Sequence, residues 1–363
     1  MKVAHLTSVH PQNDNRIFYK ECVSLSNAGH NVALIVAGAD DMILNGVTII
    51  GYPKSDNGRV VRMFKTSFLD MFKQCRKFDA DVYHFYDPEL IFIGLLLRIL
   101  GKKVIYDIHE NNAASILSKP YIKSISIRRI LSRIFDIFEQ ISSKFFTAIV
   151  TARPDISQKF IHENIITLRN FPILSNLLEL DKVKICKVKS SIIYVGGMSK
   201  IRGINELLDA FESLDEYELW LLGPITEEPL RRRIGLGCKN VKYFGVVEAS
   251  QIFSYIQEAD AGIVTFLPAP NHLTTLATKP FEYMACGKPM IMSNFKYWQD
   301  VFGSSSLYVN PCNPGDIRRK ILELLENRKL LSDMSSLNSQ LSLDKYNWHM
   351  EERKLLDLYK GLE

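Results

Sequence analysis

The chain has 363 residues, 47% of them apolar and 23% charged. That balance excludes a disordered protein, and the length exceeds what one ordinary hydrophobic core holds, so two domains are expected. Lysine and arginine number 45 against 40 aspartates and glutamates, too small an excess to imply nucleic acid.

The six cysteines, Cys22, Cys75, Cys186, Cys238, Cys286 and Cys312, are scattered, with no CxxC pair and no histidine at ligand spacing. They read as buried or incidental thiols of a reducing compartment. No apolar signal-peptide core follows Lys2. The longest apolar run, 90–97, falls far short of the ~20 residues of a spanning helix. A cytoplasmic protein is expected, with any membrane contact peripheral.

In chain order, β-rich runs at 3–6, 31–36, 81–84, 103–106 and 148–151 alternate with helical-period segments at 18–27, 61–76, 89–100 and 122–142. The alternation predicts a parallel sheet covered on both faces, in which the first two strands pair through a right-handed crossover. Between strand and helix, the segment His10-Pro11-Gln12-Asn13-Asp14-Asn15-Arg16-Ile17-Phe18 lacks the glycine fingerprint of dinucleotide binding, which argues against an NAD enzyme. Asp14 is placed to cap the helix that follows, and Arg16 to reach a ligand. Two later strand ends carry histidines, in Tyr83-His84-Phe85-Tyr86-Asp87 and Asp107-Ile108-His109-Glu110. On neighbouring strand ends of one sheet they predict a polar rim. With no three-histidine or HxxxH arrangement, no metal is expected.

Residues 119–144 combine Lys119, Lys123, Arg128, Arg129, Arg133 and Lys144 with Ile122, Ile125, Ile130, Ile134, Phe135 and Phe138. A basic amphipathic helix of this kind either covers a sheet with its charges in water or lies on an anionic membrane. The stretch 171–190, with Pro172 and the lysines Lys182, Lys184, Lys187 and Lys189, breaks the rhythm and reads as a linker between domains over 1–170 and 191–344.

The second cycle has strands at 191–195, 219–222, 241–244, 261–265 and 289–292, with helices at 204–214, 227–234, 251–258 and 281–285. Its first strand runs into Gly196-Gly197-Met198-Ser199-Lys200-Ile201-Arg202-Gly203. Glycines let backbone N–H groups approach an anion, and the helix that starts near Gly203 adds positive potential. Lys200 and Arg202 supply mobile cations for a diphosphate. Further on, Thr278-Lys279-Pro280-Phe281-Glu282-Tyr283-Met284-Ala285-Cys286-Gly287-Lys288-Pro289 reads as a loop, a short helix and a glycine stop. Glu282 falls in the first helical turn, where a carboxylate is favoured and faces outward. Lys279, three residues earlier, shares its side of the helix.

This last run resembles the donor-binding segment of retaining GT-B glycosyltransferases, family 4 in particular. The resemblance covers nearly the whole chain and is strongest over 191–312. It implies two facing Rossmann-like, doubly wound α/β domains with a deep cleft between them and a terminal helix over 345–363 that crosses back onto the first. By the same resemblance Glu282 holds the ribose of a nucleotide-sugar, and Arg202, Lys200 and the amides of Gly196 and Gly197 hold its diphosphate. Gly223 and Gly245, which end the next two strands, count with the donor side. The sequence departs from the pattern at Gly197, where a basic residue is usual, and at Thr274, where the first of two paired glutamates stands. Lys200 or Lys279 is the expected substitute for the missing cation.

The implied reaction moves a sugar from a UDP- or GDP-sugar to a hydroxyl of a glycan or lipid-linked saccharide with retention, in bacterial surface polysaccharide assembly. Its expected catalytic residues are His109, Arg202 and Glu282; Asp14, Arg16, His84, His109 and Glu110 form the acceptor side. No cofactor and no essential metal are implied, and no glycosidase-type carboxylate pair is present. Contact of 119–144 with an anionic membrane would place the enzyme at its inner face. A GT-B-like nucleotide-sugar epimerase and a non-catalytic nucleotide-sugar-binding scaffold are the alternatives.

Overall fold

The computed structural model describes every residue except 55–67, 118–121, 178–182, 184, 186 and 238. The start of the helix expected over 61–76, with Lys119, Lys182, Lys184, Cys186 and Cys238, therefore lies outside the described residues. The chain forms two compact units, Met1–Asn170 with His349–Glu363, and Phe171–Trp348.

The first unit is built on eight strands: β1 Lys2–Thr7, β2 Asn31–Ala37, β3 Met42–Leu44, β4 Val47–Tyr52, β5 Val82–Phe85, β6 Lys103–Ile108, β7 Ala148–Thr151 and β8 Ile165–Thr167. Their order is β3-β4-β2-β1-β5-β6-β7-β8, all parallel except β3 on β4. β1 bonds to β2 on one side and β5 on the other, so the chain reverses its direction of travel there. Ligands of open α/β sheets bind at the carboxyl ends beside such a switch point. β3, β4 and β8 went unread in the sequence. β3 and β8 have three residues each, and Thr48 and Gly51 interrupt the apolar run of β4.

The strands bury Leu6, Ile35, Phe85, Val104 and Tyr106 in one core, with Phe85 and Tyr106 stacked at 4.6 Å. The expected first helix opens as a π-helical stretch, Asn15–Cys22, and continues as an α-helix, Val23–Asn27. The expected basic helix forms over Ile125–Ser143, but its apolar residues divide. Phe135 and Phe138 pack on the core, whereas Ile125, Ile130 and Ile134 are exposed. The helix Trp348–Lys360 belongs to this unit from His349 onward. It buries Leu355 and Tyr359, and its Glu351 accepts the Arg169 amide at 2.9 Å.

The second unit carries β9 Ser190–Val195, β10 Tyr217–Leu222, β11 Val241–Gly245, β12 Ala261–Val264, β13 Met290–Ser293 and β14 Leu307–Val309. The all-parallel order β11-β10-β9-β12-β13-β14 is the Rossmann arrangement, with its switch point between β9 and β12. The helix Lys279–Ala285 is pinned over that point by Tyr283. The Tyr283 hydroxyl donates to Ile193 O at 3.2 Å and accepts from the Val195 amide at 3.2 Å. Its ring lies where a side chain on Gly262 would sit, 2.3 Å from the position of an added Cβ. Gly262 thus lets the helix settle on β12, and the anchoring of Tyr283 fixes where Glu282 and Lys279 project.

Candidate active site

At the carboxyl edge of the second sheet the loops after β9, β10 and β12 rest directly on one another. A Cβ on Gly203 would stand 1.8 Å from Thr265 O, and one on Gly223 2.3 Å from Gly196 O. Gly203 and Gly223 hold φ of +71° and +132°, so close approach and backbone conformation both require glycine there. Gly197 and Gly245 have no atom within 4 Å of an added Cβ and leave the rim open.

Arg202 sits on this rim with its guanidinium 4.3 Å above the Phe266 ring, a cation–π contact that orients it. Phe266 is held in turn by His272 at 4.8 Å and Trp298 at 5.7 Å between ring centroids. Tyr194 donates to Gly197 O at 2.9 Å. Burial pushes its hydroxyl up to about 12, against the opposing pull of Arg202. The Lys200 amide donates to Glu227 Oε1 at 3.0 Å, and its side chain faces solvent. Lys279 Nζ donates to both oxygens of Glu282 at 2.8 Å. Thr274 ends the short helix Pro270–Thr274 with its hydroxyl turned back to Pro270 O, at 3.3 Å, rather than toward the rim. The Gly196 amide donates to Leu222 O at 2.8 Å, so the rim offers the Gly197 amide, an aromatic-backed arginine and a half-buried Lys–Glu pair, a set suited to a dianion and a neighbouring hydroxyl pair.

The first unit gathers a different set at its own switch point. Asp14 caps the helix by accepting the amides of Arg16 and Ile17, each at 2.9 Å. Its carboxyl lies near His10 Nδ1, at 3.4 Å, while His10 Nε2 lies 3.6 Å from Asp87. Burial works to raise Asp14, but His10 and the two amides outweigh it and bring it down to about 2. The bond to Asp14, aided by Asp87 and Glu110, raises His10 against the effect of burial. Asp87 is fixed by the Thr7 hydroxyl at 2.8 Å and the Ser8 amide at 2.7 Å. The His10 ring meets the edge of His109 at 5.5 Å, and His109 Nε2 lies 3.6 Å from Asp107. His109, one-fifth exposed, and the exposed Glu110 form the open side of this group.

Two expected rim residues are corrected by the structure: Arg16 and His84 do not reach the surface. Arg16 Nη2 donates to both oxygens of Asp107 at 2.8 and 3.2 Å, its Nη1 donates to Leu168 O at 2.7 Å, and its Nε lies 3.0 Å from Glu21. His84 is fully buried, with Nδ1 2.9 Å from the Tyr359 hydroxyl. One guanidinium faces two carboxyls here. Burial disfavours both anions, but the bidentate bond to Arg16 outweighs this at Asp107 and holds it well below the usual carboxylate range. Burial and the Asp107 charge push Glu21 well above that range, against the pull of Arg16. Burial also lowers His5 and His84. His5–Glu21–His84 and Glu21–Asp107–His109 have ligand atoms within 4.8 Å of one another. The positive charge between these carboxyls already comes from Arg16.

Sequence reasoning passed over His5, His10, Glu21, Asp87, Asp107 and Tyr359. Asp87 and Asp107 lie at the strand ends that singled out the histidines, so the same criterion extends to them. Glu21 and Tyr359 sit on the buried sides of helices, where periodicity predicts apolar contact and gives no sign of a polar network.

Two parallel-sheet α/β domains of this kind match the GT-B fold. Residues 189–327 match the family model described as glycosyl transferases group 1. An uncharacterized glycosyltransferase of Methanocaldococcus jannaschii is 23% identical over 347 residues, covering 88% of this chain and 85% of its own. Sucrose-phosphate synthase from Thermosynechococcus elongatus superposes with a TM-score of 0.74 at 16% identity, over 99% of this chain and 98% of its own. HepE of Anabaena, solved with UDP-glucose, gives 0.70 at 12% identity, over 99% and 100%. The matched domain, the glycosyltransferase relative and the GT-B neighbours together support a glycosyltransferase of the group 1, family 4 type, a transferase enzyme.

Proposed function

We propose that the enzyme moves a sugar from a UDP-sugar to a hydroxyl of a glycan or lipid-linked saccharide with retention of configuration, in bacterial surface polysaccharide assembly. The observation that carries this reading is the second-unit rim, where Gly196, Gly197 and Gly203 open the backbone beside Arg202 and the Lys279–Glu282 pair. UDP takes precedence over GDP because the similar HepE protein of Anabaena was solved with UDP-glucose.

Departure of the diphosphate builds negative charge on its oxygens. Arg202, held on Phe266, and the Gly197 amide stabilise that charge without reorganising, and Lys200 swings in from solvent; the Gly196 amide, expected beside them, donates instead to Leu222 O at 2.8 Å. Glu282 binds the ribose hydroxyls, and Lys279 divides its hydrogen bonds between Glu282 and the donor. The acceptor hydroxyl attacks on the face the diphosphate leaves, and a donor phosphate oxygen takes its proton. On the first unit, His109 orients hydroxyl groups, with its imidazole directed by Asp107 and flanked by His10. No step draws on a divalent metal, so turnover persists in EDTA.

The test is a screen of UDP-, GDP- and dTDP-sugars by thermal shift, followed by transfer to lipid-linked saccharides with the product anomer read by NMR. Only a true donor stabilises the fold by mass action. Stabilisation by a UDP-sugar and a product of retained configuration support the reading. Inverted product overturns it, and donor epimerised or released without acceptor points to the epimerase.

A further inference from the structure

The helix Ile125–Ser143 is apolar on both sides. Its inward side sets Phe135 and Phe138, which pack on the core, beside the buried polar residues Glu139, Ser142 and Ser143. Glu139 accepts from the Tyr106 hydroxyl at 2.7 Å and from Asn112 at 2.8 Å. Its outward side carries Ile127, Ile130, Leu131, Ile134, Ile137 and Ile141, all between 41% and 59% exposed. Their spacing of three and four residues forms one continuous apolar stripe. Phe145, 60% exposed, lies just beyond the helix end. Scattered exposed apolar residues need no explanation, but a contiguous stripe marks an interaction surface.

The charges beside the stripe select its partner. Lys123, Arg129, Arg133 and Lys144 are exposed. Of the two acidic residues of the helix, Glu139 is buried in the network above and Asp136, one-third exposed, is held in an ion pair with Lys159 at 2.8 Å. The outward face thus presents isoleucines and cations with no carboxylate among its exposed helix residues. An isologous dimer through this face would press the arginines of one copy toward those of the other. An anionic bilayer instead takes aliphatic side chains below its headgroups and gathers the cations at its surface. Among the described residues no helix is long and apolar enough to cross a membrane, so this one lies along the interface.

We infer that the Ile125–Ser143 helix docks the enzyme on an anionic lipid bilayer, with Ile130, Ile134 and Ile137 inserted and Arg129 and Arg133 against the headgroups. This deepens the reading of a lipid-linked acceptor, because it brings the enzyme to the surface where such an acceptor resides. It is tested apart from sugar transfer.

The full chain is floated with phosphatidylcholine vesicles containing about one-third phosphatidylglycerol, and with phosphatidylcholine vesicles alone. Binding to the anionic vesicles and its loss at 0.5 M salt are expected. I134S/I137S should reduce that binding at least tenfold, R129Q/R133Q should reduce it and flatten its salt dependence, and circular dichroism should show both variants folded. Failure of the wild-type chain to float with anionic vesicles overturns the proposal. So does binding unaffected by both variants, or a wild-type dimer that I134S/I137S turns into monomers. UDP-sugar binding measured without vesicles reads the donor site separately, so loss of one result leaves the other interpretable.

Discussion

Asp107 accepts two hydrogen bonds from the Arg16 guanidinium, at 2.8 and 3.2 Å, at a depth where its side chain is wholly buried and that of Arg16 is 5% exposed. The oxygen bonded at 3.2 Å also lies 3.6 Å from His109. A pair formed for stability and a histidine facing the open side thus share one carboxylate. Removing one member of a buried pair strands the other charge and costs about 3–5 kcal/mol. Arg16→Met and Asp107→Asn are each expected to lower the stability of the first unit by that amount in urea denaturation. The double variant Arg16→Met/Asp107→Leu should lose less than the sum, since the two sites are coupled.

Stability should also depend on pH through His5 and His84. Burial lowers both in the folded chain, while unfolded histidine titrates at about 6.5. Above that pH neither state binds the extra protons. Below it the unfolded chain takes them up first, so stability falls as pH drops, by up to about 1.4 kcal/mol per pH unit for each imidazole. Denaturation curves between pH 7.5 and 5 check this. His84→Asn should be less stable at pH 7.5 and show a shallower fall.

His10 should behave in the opposite sense. Its raised pKa rests on Asp14, with Asp87 and Glu110 in support. The stabilisation is therefore complete below the unfolded value and is lost as pH rises through the folded one. NMR titration should find His10 above the ordinary histidine range, and Asp14→Asn should bring it down. Asp14→Asn keeps a capping side chain, so the helix should lose only a small part of its stability.

The strand–helix alternation and the glycine loop were legible because burial on both faces demands apolar strands and close backbone contact demands glycine. The Gly203–Thr265 and Gly196–Gly223 approaches show which backbones those glycines admit. The outcome for Arg16 and His84 was not legible. A basic residue in a loop and a histidine at a strand end look alike whether they face water or a buried carboxylate. Asp107 and Glu21, brought in from other elements, decide between the two. Which side of the basic helix turns inward was left open for a related reason. Periodicity shows that a helix has an apolar side, but Glu139 binding Tyr106 and Asn112 settles which side turns inward.

Lys279 should matter for the donor more than for the fold. An exposed or half-exposed i,i+3 ion pair contributes less than about 1 kcal/mol, so Lys279→Met should leave thermal unfolding nearly unchanged. A charge-assisted bond to a bound diphosphate contributes about 1.5–3 kcal/mol, so the donor KM should rise roughly ten- to a hundredfold. Steady-state kinetics with varied UDP-sugar checks both arms.

Donor binding at the second-unit rim rests on Arg202 and Glu282. Calorimetric titration of UDP and the UDP-sugar donor into wild-type, Arg202→Ala and Glu282→Ala enzyme tests it most directly. Each variant should remain folded, weaken donor binding at least tenfold and abolish most transfer. Undiminished binding and transfer in both variants would contradict the account.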